Sequence, residues 1–139
     1  MMMYKLTPSD VLGLQEPFTA YSLQMITASR EGVSRLDFVD FASKIKHSVQ
    51  SLSAIIPASY SSLTKKKVYN LETSERIFEL AELYAYGRDV FGTIENFNSW
   101  LHTESLPLGG QTPFSLLDTS FGIALVKQEL GRIDHGIFA

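Results

Sequence analysis

The chain has no cysteine. That absence excludes a disulfide framework, a thiolate metal site and a thiol nucleophile together, and it suits a reducing compartment. Long hydrophobic runs are missing as well. No apolar stretch approaches the roughly 20 residues of a membrane-spanning helix, and Met1, Met2 and Met3 are followed at once by Tyr4 and Lys5, too short for the apolar part of a secretory leader. The expected location is therefore the cytosol, with no membrane partner. Charge of one sign is scarce: 12 Lys+Arg against 15 Asp+Glu leave a formal −3. A protein that coats nucleic acid is excluded, whereas one local basic patch is not. Apolar residues are abundant, at 45% of 139. This is too many for a disordered chain and enough to bury one core, or two small ones sharing a helix.

Periodicity predicts helices and nothing else. Pro8, Gly13, Pro17 and Gly32 interrupt the first third, between which residues 20–30 predict one modest helix with Leu23 and Ile26 inward. Ser34 and Asp37 have capping-box spacing, and Leu36, Phe38, Phe41, Ala42 and Ile45 follow in a helical pattern. Ser48 predicts a cap for a second short helix carrying Val49, Leu52, Ile55 and Ile56, which Pro57 stops. Ser59 predicts a third, from Tyr60 to about Lys66, anchored by Leu63. Three short capped helices in a row suggest a helix-turn-helix. A long helix is expected from Glu75 towards Phe91, capped by Thr73 or Ser74 and ended by Gly92, and Ile94, Phe97, Trp100 and Leu101 mark a further short one. Thr112 before Pro113 marks a helix start, and Asp118 or Thr119 caps a last helix with Ile123, Val126, Leu130 and Ile133 inward, Lys127 and Glu129 outward, and Gly136 at its close. With no strand pattern, internal repeat or low-complexity tract, the class is all-α.

Catalytic and metal chemistry find little support. His47, His102 and His135 lack the i+3 or i+4 partner of a metal pair and are expected as separate surface or cap residues. No serine stands in a nucleophile elbow, and Gly109-Gly110 is not followed by the lysine of a phosphate loop. Asp37 and Asp40 share a helix face, but nothing local would raise either pKa, so a solvated face is expected. No enzyme, cofactor or metal is anticipated. Binding features are easier to find. Lys65, Lys66 and Lys67 end the third helix of the helix-turn-helix pattern, where they would neutralise phosphates while Ser59, Tyr60, Ser61, Ser62 and Thr64 face base edges. The same run also reads as a solvated cluster at the negative end of a helix. Pro57 and Ser53 stand where such motifs commonly have glycine and alanine, which alters the turn. At the other end, Ile137, Phe138 and Ala139 form an apolar tail that must fold back or be covered by a partner.

From Asn98 onward the pattern N-S-W-L-H-T, then L-P-L-G-G-x-T-P-F-S-L-L-D-T, then L-G-R-I-D-H-G-I-F-A closely resembles the C-terminal toxin-binding domain of the Xre/MbcA/ParS antitoxin family. The upstream half is more loosely similar to that family's Xre-like helix-turn-helix. The resemblance implies an all-α chain with three parts: an arm over residues 1–33 offering oligomerisation, a helix-turn-helix over 34–78, and a toxin-binding domain over 79–139. It implies the antitoxin of a type II system, partnered by a RES-domain toxin that consumes NAD and repressing its own operon through operator DNA. In the family the C-terminal domain caps the toxin's active-site cleft. By position, Arg132, Asp134, His135, Gly136, Ile137, Phe138 and Ala139 would make that contact. A homodimer or higher oligomer is expected, because such repressors read paired half-sites and the apolar arm has no evident intrachain destination. The alternative is a helix-turn-helix regulator whose C-terminal domain serves dimerisation.

Overall fold

A computed structural model describes residues 19–136, so Pro8, Gly13, Pro17, Ile137, Phe138 and Ala139 lie outside the described part. The described residues form seven α-helices and no strand: α1 (Thr19–Glu31), α2 (Arg35–Lys44), α3 (Val49–Leu52), α4 (Tyr60–Lys65), α5 (Leu71–Phe91), α6 (Ile94–Leu101) and α7 (Ser120–Asp134). Two 3-10 turns, Leu106–Leu108 and Pro113–Leu116, lie between α6 and α7. The protein is all-α.

Local chemistry explains most boundaries. Ser34, Ser48, Ser59, Thr93 and Thr119 each accept the backbone N–H three residues on, at Asp37, Ser51, Ser62, Asn96 and Gly122. Each such cap satisfies a donor that the helix leaves orphaned and is worth about 1 kcal/mol. The last helix is thus capped by Thr119 and not by Asp118. The long helix starts earlier than its pattern suggests: Asn70 caps it by accepting from the Thr73 N–H at 2.9 Å. Thr73 and Ser74 are buried inside its first turns because the chain has another use for the serine. Its Oγ accepts the Val33 N–H at 2.9 Å and donates to the Tyr69 carbonyl at 3.3 Å, tying the start of the bundle to its centre. The second short helix ends at Leu52, before Pro57, and Ile55 and Ile56 are buried from the turn that follows.

One contiguous core runs from Ala28 to Leu130. Helix α5 is its axis, with α1, α6 and α7 packed on it, and it buries Ile77, Phe78, Leu80, Ala81, Leu83 and Tyr84. A helix apolar on so many sides needs neighbours all round. Helix α1 is one of them. It buries Ala28 and Ser29 and leaves Leu23 and Ile26 exposed, the reverse of the expected face. That part of the arm therefore has an intrachain destination. Leu36, expected inward on α2, is 79% exposed. Helical spacing alone could not choose between the faces.

Close packing imposes two glycines. A Cβ on Gly87 of α5 would lie 2.3 Å from the Phe97 ring of α6, and one on Gly122 of α7 would lie 1.6 Å from the Leu116 carbonyl oxygen. Around Phe97 the rings of Tyr84, Phe91 and Trp100 form an aromatic cluster with centroids 5.1–6.0 Å away. Edge and offset contacts of this kind add to area burial.

Candidate functional site

The basic end of α4 is built by contacts from elsewhere. Arg35 Nη1 donates to the Lys65 carbonyl at 2.8 Å, and the Arg35 N–H donates to the Lys67 carbonyl at the same distance. A cation at a helix C-terminus satisfies the orphan carbonyls and the dipole. The Tyr69 hydroxyl donates to the Leu63 carbonyl at 2.6 Å from the buried side, where burial raises its pKa. Arg35 and Tyr69 thus hold α4 from two directions. Ser59, Tyr60, Ser61, Thr64, Lys65, Lys66 and Lys67 are all exposed around it, and the structure brings them together as one surface. Three hydroxyls are already engaged, those of Ser59, Ser62 and Thr64. Ser62, half-buried, accepts from Ser59 Oγ at 3.1 Å, and Thr64 Oγ1 donates to the Tyr60 and Ser61 carbonyls at 3.0 and 3.1 Å. The free polar face is therefore Tyr60, Ser61 and the lysines.

The C-terminal end is held by α5. Lys127 pairs with Glu82 at 2.8 Å, Ser120 Oγ donates to Glu79 at 3.3 Å, and the Tyr86 hydroxyl donates to Asp134 at 3.3 Å. Burial, and then the Asp134 carboxylate, raises the pKa of Tyr86, which stays a neutral donor. Ile123, Val126 and Leu130 are buried against α5 as their spacing predicts. Glu129 is not turned outward: it is 13% exposed and stands 3.7 Å from Arg132 Nε. That Nε is buried with no hydrogen-bond partner, while 42% of the Arg132 side chain faces solvent. The guanidinium is thus backed by one carboxylate and still has donors to offer. Asp134, His135 and Gly136 follow, all exposed, with Gly136 in the left-handed region at φ 69°. The structure gathers Arg132, Asp134, His135 and Gly136 at one end of the bundle. Ile137, Phe138 and Ala139 fall outside the described residues.

Sequence reasoning missed the groups that join the two ends. Arg76 of α5 is 11% exposed and donates to the Ile55 carbonyl at 2.8 Å and to the Leu117 carbonyl at 3.4 Å. The two carbonyls lie on opposite sides of the long helix in sequence. Two of the three histidines are not separate: His47 Nε2 and His102 Nε2 are 3.0 Å apart across 55 residues, and the Phe114 ring packs against both, while His102 and His135 are exposed C-caps as expected. No periodic pattern signals a contact of that range. Among the described residues no three His, Cys, Asp or Glu side chains cluster to hold a metal ion, and no helix is long and apolar enough to cross a membrane.

The described chain is thus an all-helical bundle with a basic face at α4 and, at the opposite end of the sequence, a helix whose terminus presents Arg132 and an exposed turn. Residues 87–136 match the family model described as the antitoxin Xre/MbcA/ParS C-terminal toxin-binding domain. The Prs ADP-ribosylating antitoxin of Sphingobium sp. (strain YBL2) is 28% identical over 135 residues, spanning 88% of this chain and 85% of that one. Antitoxin Xre of Yersinia enterocolitica serotype O:8 / biotype 1B (strain NCTC 13174 / 8081) is 32% identical over 83 residues, or 56% of each chain. The chain is similar to antitoxins of the Xre/MbcA/ParS family, and its residues 87–136 match that family's toxin-binding domain. Arg132, Asp134, His135 and Gly136 lie inside the matched span.

Proposed function

We propose that this chain is the antitoxin of a type II toxin–antitoxin system, that it neutralises a RES-domain, NAD-consuming toxin in the cytoplasm by capping the active site, and that it represses its operon through α4. The observation that carries the reading is the toxin-binding domain match over residues 87–136 together with the Arg132 side chain, 42% exposed, near its end. The capping residues are Arg132, Asp134, His135 and Gly136, continued by Ile137, Phe138 and Ala139.

The physical case is one of preorganisation. Helix α7 is fixed along α5 by its apolar face and by the Lys127–Glu82 and Tyr86–Asp134 contacts, so its terminus loses less freedom on binding than a loose tail would. The planar Arg132 fork then meets a carboxylate, or occupies the place of a substrate phosphate, with bidentate geometry. Repression would use Lys65, Lys66 and Lys67 on phosphates and Tyr60 and Ser61 at base edges, from a dimer or higher oligomer that reads paired half-sites.

Co-expression with the neighbouring toxin gene tests this directly. The full chain should restore growth and co-purify with the toxin, and a chain ending at Gly131 should do neither. If the shortened chain protects cells fully, the capping reading is wrong. Should the full chain bind operator DNA yet fail to hold any toxin, a regulator with a dimerising C-terminal domain becomes the better account. Replacing Lys65, Lys66 and Lys67 with glutamine should weaken operator binding and flatten its salt dependence without changing toxin capture.

A further inference from the structure

We propose that His47 and His102 form a proton-operated latch between the helix-turn-helix half of the molecule and its toxin-binding half: an N–H···N bond that survives one added proton and opens on the second. His47 is placed by the end of α2. Its N–H donates to the Ala42 carbonyl and the Lys46 N–H to the Ser43 carbonyl, both at 3.1 Å, with Lys46 at φ 57°. This is the paired closure of a Schellman motif, with lysine where glycine is usual. The motif aims the imidazole at α6, where His102 follows Leu101 as the C-cap.

The hydrogen count follows from the neighbours. His47 Nδ1 lies 3.0 Å from the Ile45 carbonyl, which can only accept, so Nδ1 carries the hydrogen and Nε2 offers a lone pair. The Nε2–H of His102 therefore donates to it, at 3.0 Å. The ring centroids are 5.3 Å apart, which is the N–N separation plus two ring radii, so both nitrogens lie on the line between the rings. That is the geometry of N–H···N; a shared metal ion would require the lone pairs to converge off that line. Phe114 packs on both imidazoles, and the Tyr84 ring of α5 meets His47 edge-on at 5.8 Å.

With one proton added, either ring carries the charge while the other keeps a lone pair, and the bond stands. With two, an N–H faces an N–H and two cations meet. No carboxylate stands against either ring among the described contacts, so the second charge meets water at the exposed His102 but no anion. From α5 comes the Tyr84 hydroxyl, 3.5 Å from His47 Nδ1; from α6, the Asn98 amide, which donates to the same Ile45 carbonyl at 2.8 Å; from the 3-10 turn, only the Phe114 ring. Lys46, beside His47 in the chain, is turned towards Glu95 at 3.8 Å. Burial, and secondarily the His102 charge, holds His47 below the ordinary histidine pKa in spite of the Ile45 bond. A histidine whose folded pKa lies below its unfolded value contributes stability that is complete above about pH 6.5 and is lost as the pH falls further.

Thermal melts of the full chain from pH 7.5 to 5, beside those of His102→Gln, test the latch. Glutamine keeps an amide donor for His47 but cannot take a proton, so the wild-type midpoint should fall more steeply below about pH 6.5 than that of the variant. Each pH unit of displacement of the second protonation corresponds to a tenfold loss in the folded-to-unfolded ratio. Parallel curves would overturn the proposal. Imidazole 15N spectra of the unmutated chain give an independent reading. At pH 7.5 they should show a protonated Nδ1 and a bare Nε2 on His47, and on acidification both rings should titrate together in two steps. Independent single steps would refute the coupling. A zinc chloride titration that raised the wild-type midpoint but not that of His102→Gln would refute it as well, by making the pair a metal site.

Discussion

Gly122→Ala and Gly131→Ala make the same change on the same helix, and the structure gives them opposite signs. At Gly122 the new methyl would stand 1.6 Å from the Leu116 carbonyl oxygen and 2.7 Å from its carbon. Both are backbone atoms of the 3-10 turn that precedes the fully buried Leu117, so neither side can yield by rotating a side chain. Overpacking costs about 1–3 kcal/mol, and a clash with backbone belongs at the upper end. Removing a helical glycine returns about 1 kcal/mol. The net loss is about 2 kcal/mol. At Gly131 the added carbon would meet only the Tyr86 hydroxyl, at an ordinary 3.6 Å, so the propensity gain of roughly 0.5–1 kcal/mol stands alone. For a chain of this size roughly 3–5 °C accompanies each kcal/mol. Thermal unfolding followed by far-UV circular dichroism should therefore place Gly122→Ala about 6–10 °C below the wild type, with Gly131→Ala a few degrees above it. A Gly122→Ala protein as stable as the wild type would show that α7 does not lie so close to the Leu116 turn, and the placement of the whole C-terminal end would need revision.

Other substitutions probe other contacts. Gly87→Ala forces the Phe97 ring, 2.3 Å from the new carbon, out of its cluster; about 2 kcal/mol should be lost in urea unfolding, with a changed near-UV signal from Trp100, the one tryptophan. Ser74→Ala leaves the buried Val33 N–H without its acceptor and should cost about 1–3 kcal/mol, with faster amide exchange at Val33 as the check. Lys46→Gly relieves a left-handed residue at φ 57°, and the relief of about 1–2 kcal/mol exceeds the added chain entropy of about 0.5–1 kcal/mol, so a slightly higher melting point is expected. Arg132→Ala should lower the unfolding free energy by no more than about 1 kcal/mol, since the pair with Glu129 that it removes is partly exposed on the arginine side. In a titration against purified toxin it should weaken binding at least tenfold, and undiminished affinity would remove Arg132 from the cap.

Amino-acid order alone determined the helical class and most starting points, because capping is a contact of three residues: Ser34, Ser48, Ser59 and Thr119 each had only their own next turn to satisfy. The segment proposed for toxin contact was likewise readable as a string of residues, since Arg132 to Gly136 is contiguous. Tertiary structure decided the rest, wherever the partner of a group lies far along the chain. Ser74 looked like a cap and is a buried tie to Val33, 41 residues away. Leu23 and Ile26 looked inward, yet the approach of α1 to α5 buries Ala28 and Ser29 in their place. His47 and His102 became a pair only when α2 and α6 met across 55 residues. Local spacing specifies which hydrogen bonds and which face a segment offers; which offer is taken depends on what the folded chain brings alongside.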